Sequence, residues 1–267
     1  MQYAHDNTSV GGEINVLHPA GYGSVRINRA ISIINDGGGT AGVLATKGTA
    51  ISINAGPSAD VVLRGLTIEG AKTANYGIDV FGNNRSVTIA NSVIQGFAAA
   101  GIRYVPNSNA TINVLNTELA GNSNGIVMEP RDGSTRVDAV LNRVTITGND
   151  FYGLRARGLF PTAPSTLRLT VTDSLIASNV VLGIALYSGN MAINAVVTGT
   201  VISMNGTGIE LSGTTPSVMA LGRNSISHSI DWGLFIDINA TASTFGNNEF
   251  SNNGTDVSGT LTPIAQK

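Results

Sequence analysis

The fold is decided by the stretch Ile94-Gln95-Gly96-Phe97-Ala98-Ala99-Ala100-Gly101-Ile102-Arg103-Tyr104-Val105 and by its return one period later as Leu119-Ala120-Gly121-Asn122-Ser123-Asn124-Gly125-Ile126-Val127-Met128. Working outward, the Gly-Ile/Leu step recurs at Gly77, Gly101, Gly125, Gly153, Gly183, Gly208 and Gly233, with spacings of 24, 24, 28, 30, 25 and 25 residues. A second apolar column runs Ile68, Ile94, Leu119, Ile146, Ile176, Ile202, Ile226, Phe250, and a third, five residues earlier in each unit, runs Leu63, Ile89, Val114, Leu141, Val171, Val197, Leu221, Phe245. Self-similarity at this period marks a repeat architecture in which each unit buries its apolar face only against its neighbours. Around each anchor the pattern alternates with period two, as in Leu167-Arg168-Leu169-Thr170-Val171, which specifies a strand with one face in and one out. Gly and Asn interrupt the chain too often for helices between these strands. The expectation is an all-β solenoid of parallel sheets, three short strands per coil, with nine or ten coils of roughly 25 residues.

Asn punctuates the turns. Three residues after the second anchor stand Phe97, Asn122, Asn149, Asn179, Asn205, Ser229 and Asn253. Asn tolerates left-handed backbone, and in a stack its amide can bond the same position one coil away. Leucine-rich repeats carry a comparable ladder, but they need Leu at several fixed positions where this chain uses Ile, Val and Gly. Hexapeptide left-handed helices fail on the period.

Composition narrows the function classes. The 267 residues include 33 Gly, 12% charged and 5% aromatic residues and no Cys, with a mean hydropathy of +0.17. No apolar stretch approaches the roughly 18 residues of a membrane span, so membrane insertion is not expected and the hydropathy belongs to a core. Net charge −2 with 15 Lys plus Arg gives no cationic footprint for nucleic acid. Absence of Cys removes disulfides, thiolate metal sites and Cys nucleophiles. The opening Met1-Gln2-Tyr3-Ala4-His5-Asp6 has no signal-peptide features and reads like a cut made just before the first structural unit.

The segment from Gly11 to Ile33, with Gly11-Gly12-Glu13-Ile14-Asn15-Val16 and Gly23-Ser24-Val25-Arg26-Ile27, resembles the first coil of the pectin-lyase-like right-handed parallel β-helix superfamily. From about Gly11 to Gly259 the chain is similar to bacterial right-handed β-helix repeat proteins, most without an assigned activity. The resemblance implies a right-handed solenoid and a secreted or cell-envelope location. It implies little about chemistry, because the superfamily spans lyases, hydrolases, epimerases and adhesins. The Asn-Thr-Asp, Asp-Asp and Gly-His-Gly motifs of polygalacturonase-like members are missing, as are the Asp-Pro-His signature and the calcium nonapeptide repeat. The 17 carboxylates are scattered singly rather than gathered as a hard cation requires. No cofactor or metal is therefore assigned, and calcium stays an open question.

Function is expected on the face of the Gly-Ile/Leu strands. The second residue after each Gly points outward, giving Asp79, Arg103, Val127, Arg155, Ala185, Glu210, Phe235; the fourth gives Phe81, Val105, Glu129, Arg157, Tyr187, Ser212, Asp237. Much of the scarce charge falls there, beside two lengthened loops, 129–134 and 158–165. One reading makes Asp79 with Arg103 and Glu129 with Arg157 exposed cross-strand pairs, worth at most about 1 kcal/mol each. The other makes Arg103, Arg155 and Arg157 a clamp for an acidic polysaccharide. Glu210 and Asp237 are weak catalytic candidates with Arg155, since strand spacing puts the two carboxylates on the order of 8 Å apart, within the range of inverting glycosidases. Tyr76, Tyr152 and Trp232 each precede a repeat Gly and either seal the turn or stack on a sugar; Tyr187 joins the charged face. The outward column Thr67, Val93, Glu118, Thr145, Leu175, Val201, Ser225, Glu249 is no regular threonine lattice, which speaks against ice binding.

The expected organisation is one domain over 1–267, with an N-terminal cap at 1–10, coils at 11–253 and a C-terminal cap at 254–267. A truncated first cap would leave an exposed strand edge, making the chain a monomer or an end-to-end oligomer. The functional expectation is a non-catalytic protein that binds carbohydrate or scaffolds a surface through Asp79, Arg103, Glu129, Arg155, Arg157, Tyr187 and Trp232. A lyase or glycoside hydrolase of acidic polysaccharide is the alternative.

Overall fold

A computed structural model describes residues 1–159 and 165–265. The chain winds as a right-handed parallel β-helix whose three sheets carry 11, 10 and 10 strands, each strand pairing with those one coil before and after it. Ten strands in a column enclose nine full turns. The first sheet holds the longer strands, such as Ala110–Leu115, Arg136–Asn142 and Ser165–Thr172; the second holds short ones, such as Val93–Gln95, Glu118–Ala120 and Thr145–Thr147. The third, here the glycine sheet, contains Ala100–Pro106, Asn124–Met128, Tyr152–Arg157, Leu182–Tyr187, Thr207–Ser212 and Trp232–Ile236. Residues 160–164, within the second lengthened loop, lie outside the described residues.

The apolar columns stack as their spacing predicts. Ile94 is in register with Ile68 and Leu119, Leu119 with Ile146, and Ile146 with Ile176. Ile94, Leu119, Ile146, Ile176, Ile202 and Ile226 are all fully buried, and each such side chain contributes roughly 1.5–3 kcal/mol relative to exposure. One member of the third column departs from the expectation. Leu221 faces Thr244, not Phe245, because the last coil inserts one residue before its second-sheet strand, and Phe245 turns outward to 36% exposure.

Two columns of left-handed backbone bend each coil. Between the first and second sheets they are Gly65, Asn91, Asn116, Arg143, Asp173, Gly199 and Arg223; between the second and third, Gly96, Gly121, Gly148, Ser178, Met204, His228 and Asn252. The Asn ladder fills the latter corner: Asn122 Oδ1 accepts from the Phe97 amide at 3.0 Å, Asn149 from Asn122 at 3.0 Å, and Asn205 from Asn179 at 3.0 Å. Four ladder residues, Asn122, Asn149, Asn179 and Asn205, are fully buried, so these bonds satisfy amides that water cannot reach. A polar column at the other corner, Ser92, Thr117, Ser174, Thr200, Asn224, works the same way and was not anticipated; Thr117 Oγ1 accepts from the Ser92 amide, and Asn224 Oδ1 from Thr200.

At the N-terminus a six-residue helix, Gln2–Asn7, lies on the first coil with His5 buried, and Gln2 Oε1 accepts from the Arg26 amide at 2.7 Å. Within 254–267, Thr255–Ser258 and Leu261–Pro263 pair as the final strands of two sheets.

Candidate functional site

The recurring glycines set up the face. A Cβ on Gly125 would lie 2.5 Å from the Gly153 carbonyl oxygen and 2.5 Å from Ile146 Cγ2, and Gly153 and Gly183 meet the next coil at 2.6 and 2.7 Å. Their role is close approach of backbones, which starts each glycine-sheet strand in the same place and aligns the side chains beyond it. Arg103 is accordingly in register with Asp79 and Val127, Arg155 with Val127 and Ala185, and Glu210 with Ala185 and Phe235. Arg157, Tyr187 and Ser212 form the parallel column. Glu129 and Asp237 belong to that column but each lies one residue past the end of its strand, Asn124–Met128 or Trp232–Ile236.

The guanidinium groups are already engaged. Arg103 Nη1 donates to both Asp79 oxygens at 3.1 and 3.2 Å, and the Arg103 guanidinium carbon lies 5.1 Å from the centre of the Tyr76 ring. Burial pushes the Asp79 carboxyl up, and the Arg103 charge and hydrogen bond pull it back. Glu129 Oε1 accepts from Arg155 Nη2 at 3.3 Å and Arg157 Nη1 at 3.5 Å, and Arg155 stacks 5.2 Å over Tyr152. The carboxylates on this face thus engage all three arginines, in the cross-strand pairs of the first reading. Tyr76 and Tyr152 serve as platforms for these arginines.

A groove of about 480 Å³ opens in the glycine sheet, lined by Tyr152, Arg155, Arg157, Leu159, Leu182, Ala185, Tyr187 and Glu210. It exists because Ala185 is the small residue between Arg155 and Glu210, so the column drops to a floor there. Tyr187 is 38% exposed at its edge. Glu210 accepts from Ser212 Oγ at 2.7 Å. Of the anticipated residues, Arg155, Arg157, Tyr187 and Glu210 meet in this groove, and Glu129 braces it. Asp79 and Arg103 lie toward the N-terminal end. Trp232, 39% exposed, packs its ring 5.2 Å from Phe235. Asp237 accepts from the Ile238 amide at 2.7 Å and the Gly213 amide at 3.4 Å and does not line this groove. Ala185, Leu182 and Leu159 were missed; the one available signal was the small side chain interrupting a column of large ones.

Two larger depressions lie elsewhere. One of about 550 Å³ on the outer face of the first sheet has no aromatic lining, and its Asp138 is tied to Arg168 at 2.5 Å and to Arg136 at 3.0 Å, which together hold that carboxyl below its usual range. The other, about 1020 Å³, lies at the N-terminal end of the glycine sheet and contains Arg26, Lys47, Asp79 and Phe81.

Fold and face define a right-handed parallel β-helix repeat protein with a shallow, aromatic-edged groove on one sheet. Residues 48–263 match the family described as periplasmic copper-binding protein (NosD), and the chain belongs to that family. No curated protein matches it. Among solved structures it is similar to the enzymatically active domain of tailspike protein 2 from bacteriophage CBA120, at 12% identity and a TM-score of 0.57, over 96% of this chain and 42% of that one. That likeness speaks to the fold.

Proposed function

We propose that this protein is a non-catalytic, envelope-located β-helix that binds a carbohydrate chain in the groove over Ala185. The observation that carries the reading is the groove's composition: a small apolar floor, two tyrosine edges and fixed polar groups, the combination that accepts a sugar ring with its hydroxyls. The periplasmic description of the family supports an envelope location. No helix among the described residues is long and apolar enough to cross a membrane.

The family description also names copper, and the residues present do not fit it. The described residues contain no group of three or more His, Cys, Asp or Glu able to hold a metal. His5 is buried at one end, in hydrogen-bond contact with the exposed Asp6, while His18 lies in the first coil; Met128, Met191 and Met219 are sealed in the core. Met204 and His228 are consecutive in one corner column, but their neighbours there, Ser178 and Asn252, add no soft donor.

A glycan array probed with the wild-type chain and with Ala185→Trp tests the reading. Binding that Ala185→Trp removes while the fold persists is expected; an array on which neither protein binds, or both bind alike, overturns it.

A further inference from the structure

We infer that the groove selects an uncharged glycan rather than an acidic one, an inference that rests on the carbohydrate reading above. Its charges cancel: Arg155 and Arg157 face Glu129 and Glu210, and the adjoining loop adds Arg131 and Asp132, one of each sign. Both groove guanidiniums already donate to Glu129, whose side chain is only 13% exposed, so a ligand carboxylate would have to displace a protein carboxylate that has little water to return to. Glu210 forms the opposite wall and repels an anion across a gap of two strand spacings, on the order of 10 Å. For a neutral sugar the same groups are assets. Glu210 is held by one hydroxyl and keeps lone pairs for sugar hydroxyls. An acidic polymer finds a better seat at the other end of the sheet, where Arg26 and Lys47 have no carboxylate partner among the described residues. With no net charge in the groove, salt should barely affect binding there.

The test is affinity electrophoresis through gels containing starch, mixed-linkage β-glucan or galactomannan, against polygalacturonate or alginate, at low and high salt. The full chain carries Arg26→Gln and Lys47→Gln so that acidic retention reports on the groove alone. Retention by at least one neutral polymer, unchanged by salt and reduced at least tenfold by Ala185→Trp, is expected, with no retention by either polyuronate. Glu210→Gln, which leaves one guanidinium uncompensated, should switch on salt-sensitive retention by polygalacturonate. Should polygalacturonate or alginate retain the parent through a salt-sensitive interaction that Ala185→Trp removes, the neutral preference is overturned and carbohydrate binding stands. Absence of retention by every polymer overturns both. Circular dichroism melts establish that each variant is folded, and Tyr187→Ala, which opens the groove rather than filling it, gives an independent loss of neutral-glycan retention.

Discussion

Met204 holds φ at 55° in a corner column that uses Gly96, Gly121 and Gly148 in earlier coils and Ser178, His228 and Asn252 beside it, and its side chain is 60% exposed, so it gains little packing for that backbone. Left-handed backbone costs a non-Gly residue on the order of 1–2 kcal/mol. Met204→Gly is therefore expected to stabilise the protein by about 1 kcal/mol, read as a rise in Tm of a few degrees. Arg103 makes a second residue-scale case. Asp79 is 8% exposed, and burial is the leading effect on its carboxyl, raising it. Arg103→Met removes its charge partner, which should cost about 1–3 kcal/mol at neutral pH. A carboxyl raised in the folded state binds its proton more tightly there than when unfolded, so its burden on stability is present above the folded-state value and fades as pH falls through it. Denaturant titrations of wild type and Arg103→Met should converge on acidification. An equal loss at all pH values would show that the charge pairing is not what Arg103 supplies.

At the scale of the strand and its corner, glycines of two kinds separate. Gly125 has ordinary backbone but no room, with the Gly153 carbonyl oxygen 2.5 Å from where a Cβ would be; Gly148 has open space but φ of 61°. Gly148→Ala should cost about 1 kcal/mol, and Gly125→Ala more, about 1–3 kcal/mol with displacement of the next coil. Comparable Tm losses would contradict the close-approach role. These elements also explain how legible the molecule was. Parallel stacking writes the same register into the sequence every 24 to 30 residues, so Ile68 to Ile226 and the Asn ladder could be read directly. Phe245 could not, because a single inserted residue reverses which face a strand residue occupies. The charged columns were legible for the same reason as the core. The groove was not, since its depth comes from what Ala185 lacks, and the engagement of Arg155 by Glu129 depends on side-chain rotamers that spacing leaves free.

Over the whole molecule, each coil touches only its neighbours, so stability should vary along the axis instead of being shared evenly. Ile146 sits in the sixth of ten second-sheet strands, fully buried between Leu119 and Ile176. Phe250, in the last of them, pairs only with Ile226 and is half-buried. Ile146→Ala removes contacts to both adjoining coils and should cost about 2–5 kcal/mol, cutting the stack in its middle and lowering cooperativity. Phe250→Ala, although it deletes the larger side chain, loosens a coil supported from one side alone and should leave the remaining coils nearly as stable as before. Hydrogen exchange distinguishes the two: amides of the last coil should lose protection in Phe250→Ala while Ile146 and its neighbours keep theirs, whereas Ile146→Ala should raise exchange on both sides of the cut. Uniform loss of protection in Phe250→Ala would mean that the solenoid unfolds as one cooperative block, and that the groove over Ala185 depends on the distant end as much as on the coils that form it.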